Sequence, residues 1–314
     1  MMDIIFVVVG LVLLFFGGEG LVRGAVAIAT RLKISTLLVS LVIVGFGTSV
    51  PELLVSVQAA LKGTPDIALG NVVGSNIANI MLILGLSAVF GTVMCGTREI
   101  KRDMLAVIAA SALLAAFSFT HDLGPLAGIV MLGMLTAYLW WCYHSERKTQ
   151  AAAVLREHIE EDLSAGEPLL KSVLYTLGGL ALLVVGAKLL VDGAVSLATA
   201  AGVSQAVIGL TLVAVGTSLP ELATAIVSAI RKHSDVVIGN VLGSNLFNVL
   251  AILGITGLIT PIPFAGRIAD IDVWIMLGVA ALLAAFVFTM GRLNRATGVA
   301  FLAAYVGYSV WLFL

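Results

Sequence analysis

Residues 47–53 read GTSVPEL, and residues 216–222 read GTSLPEL. A second block, GNVVGSNIANI at 70–80, returns as GNVLGSNLFNV at 239–249. Both pairs are 169 positions apart. At that shift residues 35–85 lie on 204–254 without a gap, identical at 21 of 51 positions. The chain therefore holds two copies of one unit, which we divide as 1–143 and 171–314 with a linker at 144–170.

The surroundings of these blocks place them in a bilayer. Of 314 residues, 60% are hydrophobic and 11% charged, with a mean hydropathy of +1.13. Soluble domains carry about 25% charged and about 45–50% apolar residues. This composition excludes a soluble enzyme, a disordered chain and a nucleic-acid binder, and indicates an all-α integral membrane protein. The net charge of -1 offers no field for a polyanion, and two cysteines, Cys95 and Cys142, make no disulfide framework or metal cluster. A span takes about 20 apolar residues. Ten stretches qualify: roughly 4–30, 36–61, 67–94, 104–120, 123–143, 171–201, 205–230, 236–260, 273–290 and 296–314. The first is read as a retained span, since no small-residue cleavage site follows it.

Basic residues set the orientation. Of 17 Lys and Arg, 13 fall in alternate loops: Arg31, Lys33, Arg98, Lys101, Arg102, Arg147, Lys148, Arg156, Lys171, Arg231, Lys232, Arg292 and Arg295. The opposite loops hold Lys62 and Arg267 only, while Arg23 and Lys188 lie within spans. The richer side is cytoplasmic, which puts both termini outside a prokaryotic-type inner membrane. Five spans per copy is an odd number, so the second copy enters from the opposite face. Inverted repeats of this kind build secondary transporters whose site lies where the copies meet. The polar stretch from His144 to Lys171 reads as a short solvated helix and linker, and it lacks the ligand spacing of an EF-hand.

Within the repeated blocks, spans two and seven each carry a proline, Pro51 and Pro220, preceded by Gly-Thr-Ser. Proline has no N–H and clashes with the preceding turn, so the carbonyls of 45–48 and 214–217 are expected to lose helical partners. Freed carbonyls at this depth must line a cavity or repack, and they suit a cation. Directly after each proline stands a carboxylate, Glu52 and Glu221, near mid-span. Such a placement costs about 2.5–3.5 kcal/mol on insertion scales. One isolated glutamate could remain protonated against a neighbouring helix, but two related by the repeat and each beside a helix break mark a site. Spans three and eight add a second set. Gly70, Gly74, Gly239 and Gly243 permit close helix approach. Asn71, Ser75 and Asn79 recur every four residues on one stripe, as do Asn240, Ser244 and Asn248; Asn76 and Asn245 stand beside them.

The inventory is two carboxylates, neutral oxygens and bare carbonyls, without thiolate or imidazole, because His121, His144, His158 and His233 fall in or beside loops. Oxygen-only ligation favours Na⁺, Ca²⁺ or Mg²⁺. Mg²⁺ dehydrates reluctantly, so a dehydrated cage favours Ca²⁺, and a flexible oxygen site can dissolve into Na⁺ sites. Spans one and six bear Glu19 with Arg23 and Lys188 with Asp192, each pair four apart. The shift of 169 matches Glu19 to Lys188 and Arg23 to Asp192 with the signs swapped, a pattern read as structural or gate-positioning, pairing either within or between helices.

The paired GTSxPEL and GNVxGSN blocks resemble the α-repeats of the cation/Ca²⁺ exchanger superfamily, of the prokaryotic sodium/calcium exchanger type, over nearly the whole chain. That resemblance implies a ten-helix fold with broken helices 2 and 7 in a four-helix core, and exchange of three Na⁺ for one Ca²⁺. It implies Glu52, Glu221 and the carbonyls of Thr48 and Thr217 as calcium ligands. Sodium sites would use the carbonyls of Gly45 and Ala214 with Ser49, Ser75, Ser218, Ser244 and the two glutamates. Asn79 and Asn248 would lie at the centre, and spans one and six would slide as gates. Several relatives, including the potassium-dependent branch, have Asp where this chain has Asn248, which argues against K⁺ co-transport. The short linker lacks the calcium-sensing domains of animal members. The expected cargo is Ca²⁺ and Na⁺, with no cofactor, no nucleic acid and no obligate protein partner. A Ca²⁺/H⁺ antiporter of the same fold is the alternative, since two glutamates could shuttle protons. An intramembrane enzyme would need a base beside Ser49 or Ser218, and neither span two nor span seven has a His or Lys to serve. A channel has less use for carboxylate-bearing inverted copies.

Overall fold

The computed structural model describes residues 2–32, 34–157, 168–202 and 214–312; for 146–157 and Ala214 it describes the backbone alone. Expectations for Lys33, His158, the acidic linker residues after it and the first part of the seventh span, 205–213, lie outside these. The chain is mostly helical. Its helices are α1 (Met2–Leu32), α2 (Thr36–Thr48), α3 (Val50–Leu61), α4 (Pro65–Phe90), α5 (Arg98–Phe117), α6 (Pro125–Glu157), α7 (Leu169–Ala200), α8 (Ala214–Gly216), α9 (Leu219–Ile230), α10 (Ser234–Ile259), α11 (Ile268–Thr289) and α12 (Arg295–Leu312). Among the described residues seven helices are long and apolar enough to cross a membrane, or eight if the bent pair α2–α3 is one span. Helix α9 is apolar but shorter, at 12 residues. This is a multi-pass membrane protein.

Local chemistry explains several boundaries. Pro51 sits in the first turn of α3, where its missing N–H is harmless, and the axis bends by 43° between α2 and α3. Helix α4 stops at Phe90, short of the expected 94. Gly91 there takes an extended conformation and Val93–Met94 form a strand, β1. Helix α6 runs on to Glu157 rather than ending at 143 before a separate short helix. The segment TQAAAVLRE contains strong helix formers and no glycine or proline, so nothing stops propagation at the bilayer surface.

Two tiny antiparallel ladders tie distant loops. Strand β1 pairs with β4 (Arg292–Leu293), and β2 (Asp122–Leu123) pairs with β3 (Ile262–Pro263). Helices α1 and α7 lie backbone to backbone. A Cβ on Gly10 would meet Gly186 O at 2.8 Å, and one on Gly17 would meet Gly179 O at 3.0 Å, while Gly24 faces Thr176. One number falls as the other rises, so the two helices are antiparallel. Gly239 and Gly243 of α10 press on the backbone of Leu37 and Leu41 in α2. Around this contact lies the main apolar core, built from Leu41, Leu69, Ile77, Leu84, Leu242, Leu250 and their neighbours. Both cysteines are buried, and no disulfide joins them.

Candidate functional site

The two broken segments and the two glycine-rich helices converge. Ser49, at the bend between α2 and α3, and Ser218, just before α9, are both buried, as are Glu52 and Glu221 one turn later. Each serine reaches across to the other copy. Ser49 Oγ donates to Glu221 Oε1 at 3.4 Å, and Ser218 Oγ donates to Glu52 Oε1 at 3.3 Å. Ser218 Oγ is also 3.5 Å from Ser75 Oγ of α4. On the α10 side, Ser244 Oγ donates to the Gly45 carbonyl at 3.3 Å, and Thr48 Oγ1 lies 3.2 Å from Asn240 Oδ1 and 3.5 Å from Ser244 Oγ. The main chain at each glutamate is held by the asparagine that opens the polar stripe. Asn71 Nδ2 donates to Glu52 O at 3.1 Å, and Asn240 Nδ2 to Glu221 O at 3.3 Å.

Asn79 and Asn248 stand four residues, one helical turn, beyond Ser75 and Ser244. Both lie where the α-helix widens into π turns, at Asn79–Ile83 and Phe247–Ile252, a distortion frequent at functional sites. Glu52 Oε2, Glu221 Oε2, Asn79 Oδ1, Asn248 Oδ1 and Thr217 Oγ1 are buried without a hydrogen-bond partner. Leaving such an oxygen unmatched costs about 1–3 kcal/mol, more for a charged group. Buried oxygens left without partners suit a cation. Among the described residues no three His, Cys, Asp or Glu side chains gather as a conventional metal cluster. A cation here would take two carboxylate oxygens and neutral oxygens.

The structure brings together Thr48, Ser49, Glu52, Ser75, Ser218, Glu221 and Ser244 with the Gly45 carbonyl. Asn79 and Asn248 lie one turn away. Ala214 opens α8, with its side chain outside the described atoms. The expected release of carbonyls needs correction at Gly45, whose oxygen still accepts from the Ser49 N–H at 3.2 Å. A proline removes the partner of the residue four before it, so Pro51 deprives Gly47 and Pro220 deprives Gly216. The charges of spans one and six stand apart from this cluster. Glu19 accepts two bonds from Arg231, Nη2 to Oε1 at 2.7 Å and Nε to Oε2 at 3.1 Å, tying α1 to the end of α9. Arg23 lies over Tyr175 at 4.7 Å. Lys188 and Asp192 are exposed on α7, and among the described residues no ion pair joins them.

Sequence reading passed over a second repeat-related set. Asp103 and Asp272, again 169 apart, are both buried at the starts of α5 and α11. Arg102 Nη2 bonds Asp103 Oδ1 at 2.7 Å. Asp272 accepts from Tyr308 Oη at 3.1 Å and pairs with Arg267 at 3.5 Å. The unchanged shift was the available signal.

The sequence profile of the family described as "Sodium/calcium exchanger protein" matches residues 2–144 and 171–314. The chain belongs to that family. It is 36% identical over 312 residues to the "Putative antiporter CaxA" of Alkalimonas amylolytica, covering 98% of each protein. It is 30% identical over 346 residues to the "Sodium/calcium exchanger MaX1" of Methanosarcina acetivorans, covering 99% of this chain and 98% of that one. The solved sodium-calcium exchanger NCX_Mj, in a form soaked with Na⁺ and Sr²⁺, superposes with a TM-score of 0.84 at 30% identity, over 97% of this chain and 96% of that one. These relatives are exchangers and antiporters, not enzymes.

Proposed function

We propose that this family member exchanges Na⁺ for Ca²⁺ by alternating access at the site shared by Glu52 and Glu221. The observation that carries the reading is the reciprocal pair of cross-copy bonds, Ser49 to Glu221 and Ser218 to Glu52, around buried oxygens that lack partners. Two carboxylates match the charge of one Ca²⁺. The carbonyls of Thr48 and Thr217 complete the Ca²⁺ set, the two glutamates with the Gly45 and Ala214 carbonyls and with Ser49, Ser75, Ser218 and Ser244 serve Na⁺, and exclusive occupancy couples the two ions. Three Na⁺ per Ca²⁺ would move one net charge.

The reading includes ten spans in two inverted five-span copies, 1–143 and 171–314, joined by a cytoplasmic linker at 144–170, with both termini outside an inner membrane. Two observations support that topology. Strand β1 follows span three and its partner β4 follows span nine, both on the side rich in Lys and Arg; β2 and β3 both lie on the other. The family profile also matches twice, once per copy. Alternating access is supported by the close seat of α10 on α2 at Gly239 and Gly243, which seals the cytoplasmic half. The α1–α7 pair, joined to the core by Glu19–Arg231, is the element that slides.

Proteoliposomes loaded with ⁴⁵Ca²⁺ test this. Release driven by external Na⁺ with the proton gradient collapsed is expected, and Glu52→Gln or Glu221→Gln abolishes it. Release that follows only a proton gradient would identify the Ca²⁺/H⁺ antiporter instead. Wild-type exchange in both variants would refute the site.

A further inference from the structure

An asparagine amide has two ends, an oxygen that attracts a cation and an NH₂ that repels one. Which end of Asn79 and Asn248 is left unpaired is decided by two residues one turn earlier. Asn79 Nδ2 donates to Asn245 Oδ1 at 2.9 Å, and Asn248 Nδ2 donates to Asn76 Oδ1 at 3.1 Å. The polarity of the two bracing amides is itself fixed. Asn76 Nδ2 donates to the Asn245 main-chain carbonyl at 3.3 Å, and Asn245 Nδ2 to the Asn76 carbonyl at 3.4 Å. A carbonyl offers no donor, so neither brace can flip without losing a bond. All four side chains are buried. The outcome is that Asn79 Oδ1 and Asn248 Oδ1 are the ends left without a partner.

Asn76 and Asn245 stand at the same depth in α4 and α10, 169 positions apart, so the two helices cross where the copies meet. A buried apolar residue would fill the same space without orienting anything. We propose that Asn76 and Asn245 are positioning residues that turn the Asn79 and Asn248 oxygens toward the cation and so set the affinity of the site for Ca²⁺. This rests on the reading of the Glu52–Glu221 cluster as the ion site.

The test is Ca²⁺ titration of the purified full chain in lipid nanodiscs, followed by calorimetry. Removing an outer partner of a metal ligand typically weakens binding by about 10–100-fold, which is the loss expected for Asn76→Ala. A carboxylate has no wrong end, so adding Asn248→Asp should cancel the defect: the double variant should match Asn248→Asp alone within about threefold. Asn245→Ala with Asn79→Asp is the mirror experiment in the other copy. Asn76→Asp keeps the oxygen that holds Asn248 Nδ2 and, as a buried protonated carboxyl, still donates to the Asn245 carbonyl, so it should not weaken Ca²⁺ binding; this variant decides the matter if the alanine variants fail to fold. Unchanged affinity in Asn76→Ala would overturn the proposal, as would an equal loss on the Asn248→Asp background or a tenfold loss in Asn76→Asp. Glu52→Gln is titrated alongside. If it binds Ca²⁺ like wild type, the ion site itself is misassigned; if it does not while Asn76→Ala does, only the brace fails.

Discussion

A single methyl group at Gly243 should force helices α2 and α10 apart. A Cβ there would contact the Leu41 carbonyl oxygen and lie 2.9 Å from both Leu41 C and Cα. Unstrained carbon pairs sit at about 3.5–4.0 Å. The obstruction is backbone and cannot rotate aside, so α2 and α10 must part by roughly 0.6–1 Å. That movement stretches the Ser244–Gly45 bond from 3.3 Å and the Thr48–Asn240 bond from 3.2 Å beyond useful length. Overpacking costs about 1–3 kcal/mol, and each lost bond about 1 kcal/mol. The sum, about 3–5 kcal/mol, is a factor of about 100 to several thousand in the population of this packed state. Thermal unfolding and ⁴⁵Ca²⁺ flux of Gly243→Ala should be measured beside Gly278→Ala. A Cβ at Gly278 meets nothing within 4 Å, and replacing a helix-interior glycine gains about 0.5–1 kcal/mol. Gly243→Ala should melt lower and exchange more slowly, while Gly278→Ala should be unimpaired. Equal behaviour of the two would show that α2 and α10 are not in backbone contact.

Glu19 and Arg231 are 34% and 56% exposed, so a double-mutant cycle with Glu19→Gln and Arg231→Gln in thermal unfolding should give a coupling of only about 0.2–1 kcal/mol; zero coupling would remove the tie between α1 and α9. Ser218→Ala deprives Glu52 Oε1 of its donor and leaves Ser49–Glu221 intact. Na⁺-driven ⁴⁵Ca²⁺ uptake at limiting Ca²⁺ should fall several-fold in that variant, and uptake identical to wild type would mean that the serine does not shape the site.

Much of the candidate site was legible because membrane insertion penalises the residues that compose it. A glutamate in mid-span, a proline inside an apolar run and a serine–asparagine stripe each cost free energy in lipid, and the second copy repeats each at one fixed shift. Glu52, Glu221, Pro51, Pro220 and Ser75 stood out for that reason. The π turns at Asn79 and Phe247 did not, because a one-residue widening leaves hydropathy unchanged. The Gly45 carbonyl was misjudged by counting the whole turn before Pro51 as freed. Arg231 as the partner of Glu19 was invisible to an i,i+4 rule that sees one helix at a time. The glycine contacts of α1 and α7 were available and missed: Gly10 and Gly179, Gly17 and Gly186, and Gly24 and Gly193 obey the same shift of 169. They lie before the aligned block, where the intervening residues have diverged.

The most direct measurement is the anomalous scattering of calcium in crystals of the wild-type protein grown with Ca²⁺. A peak is expected between the two copies, with oxygens of both Glu52 and Glu221 at about 2.3–2.6 Å. A peak that touches only one of these carboxylates, or lies elsewhere in the molecule, would contradict a shared site.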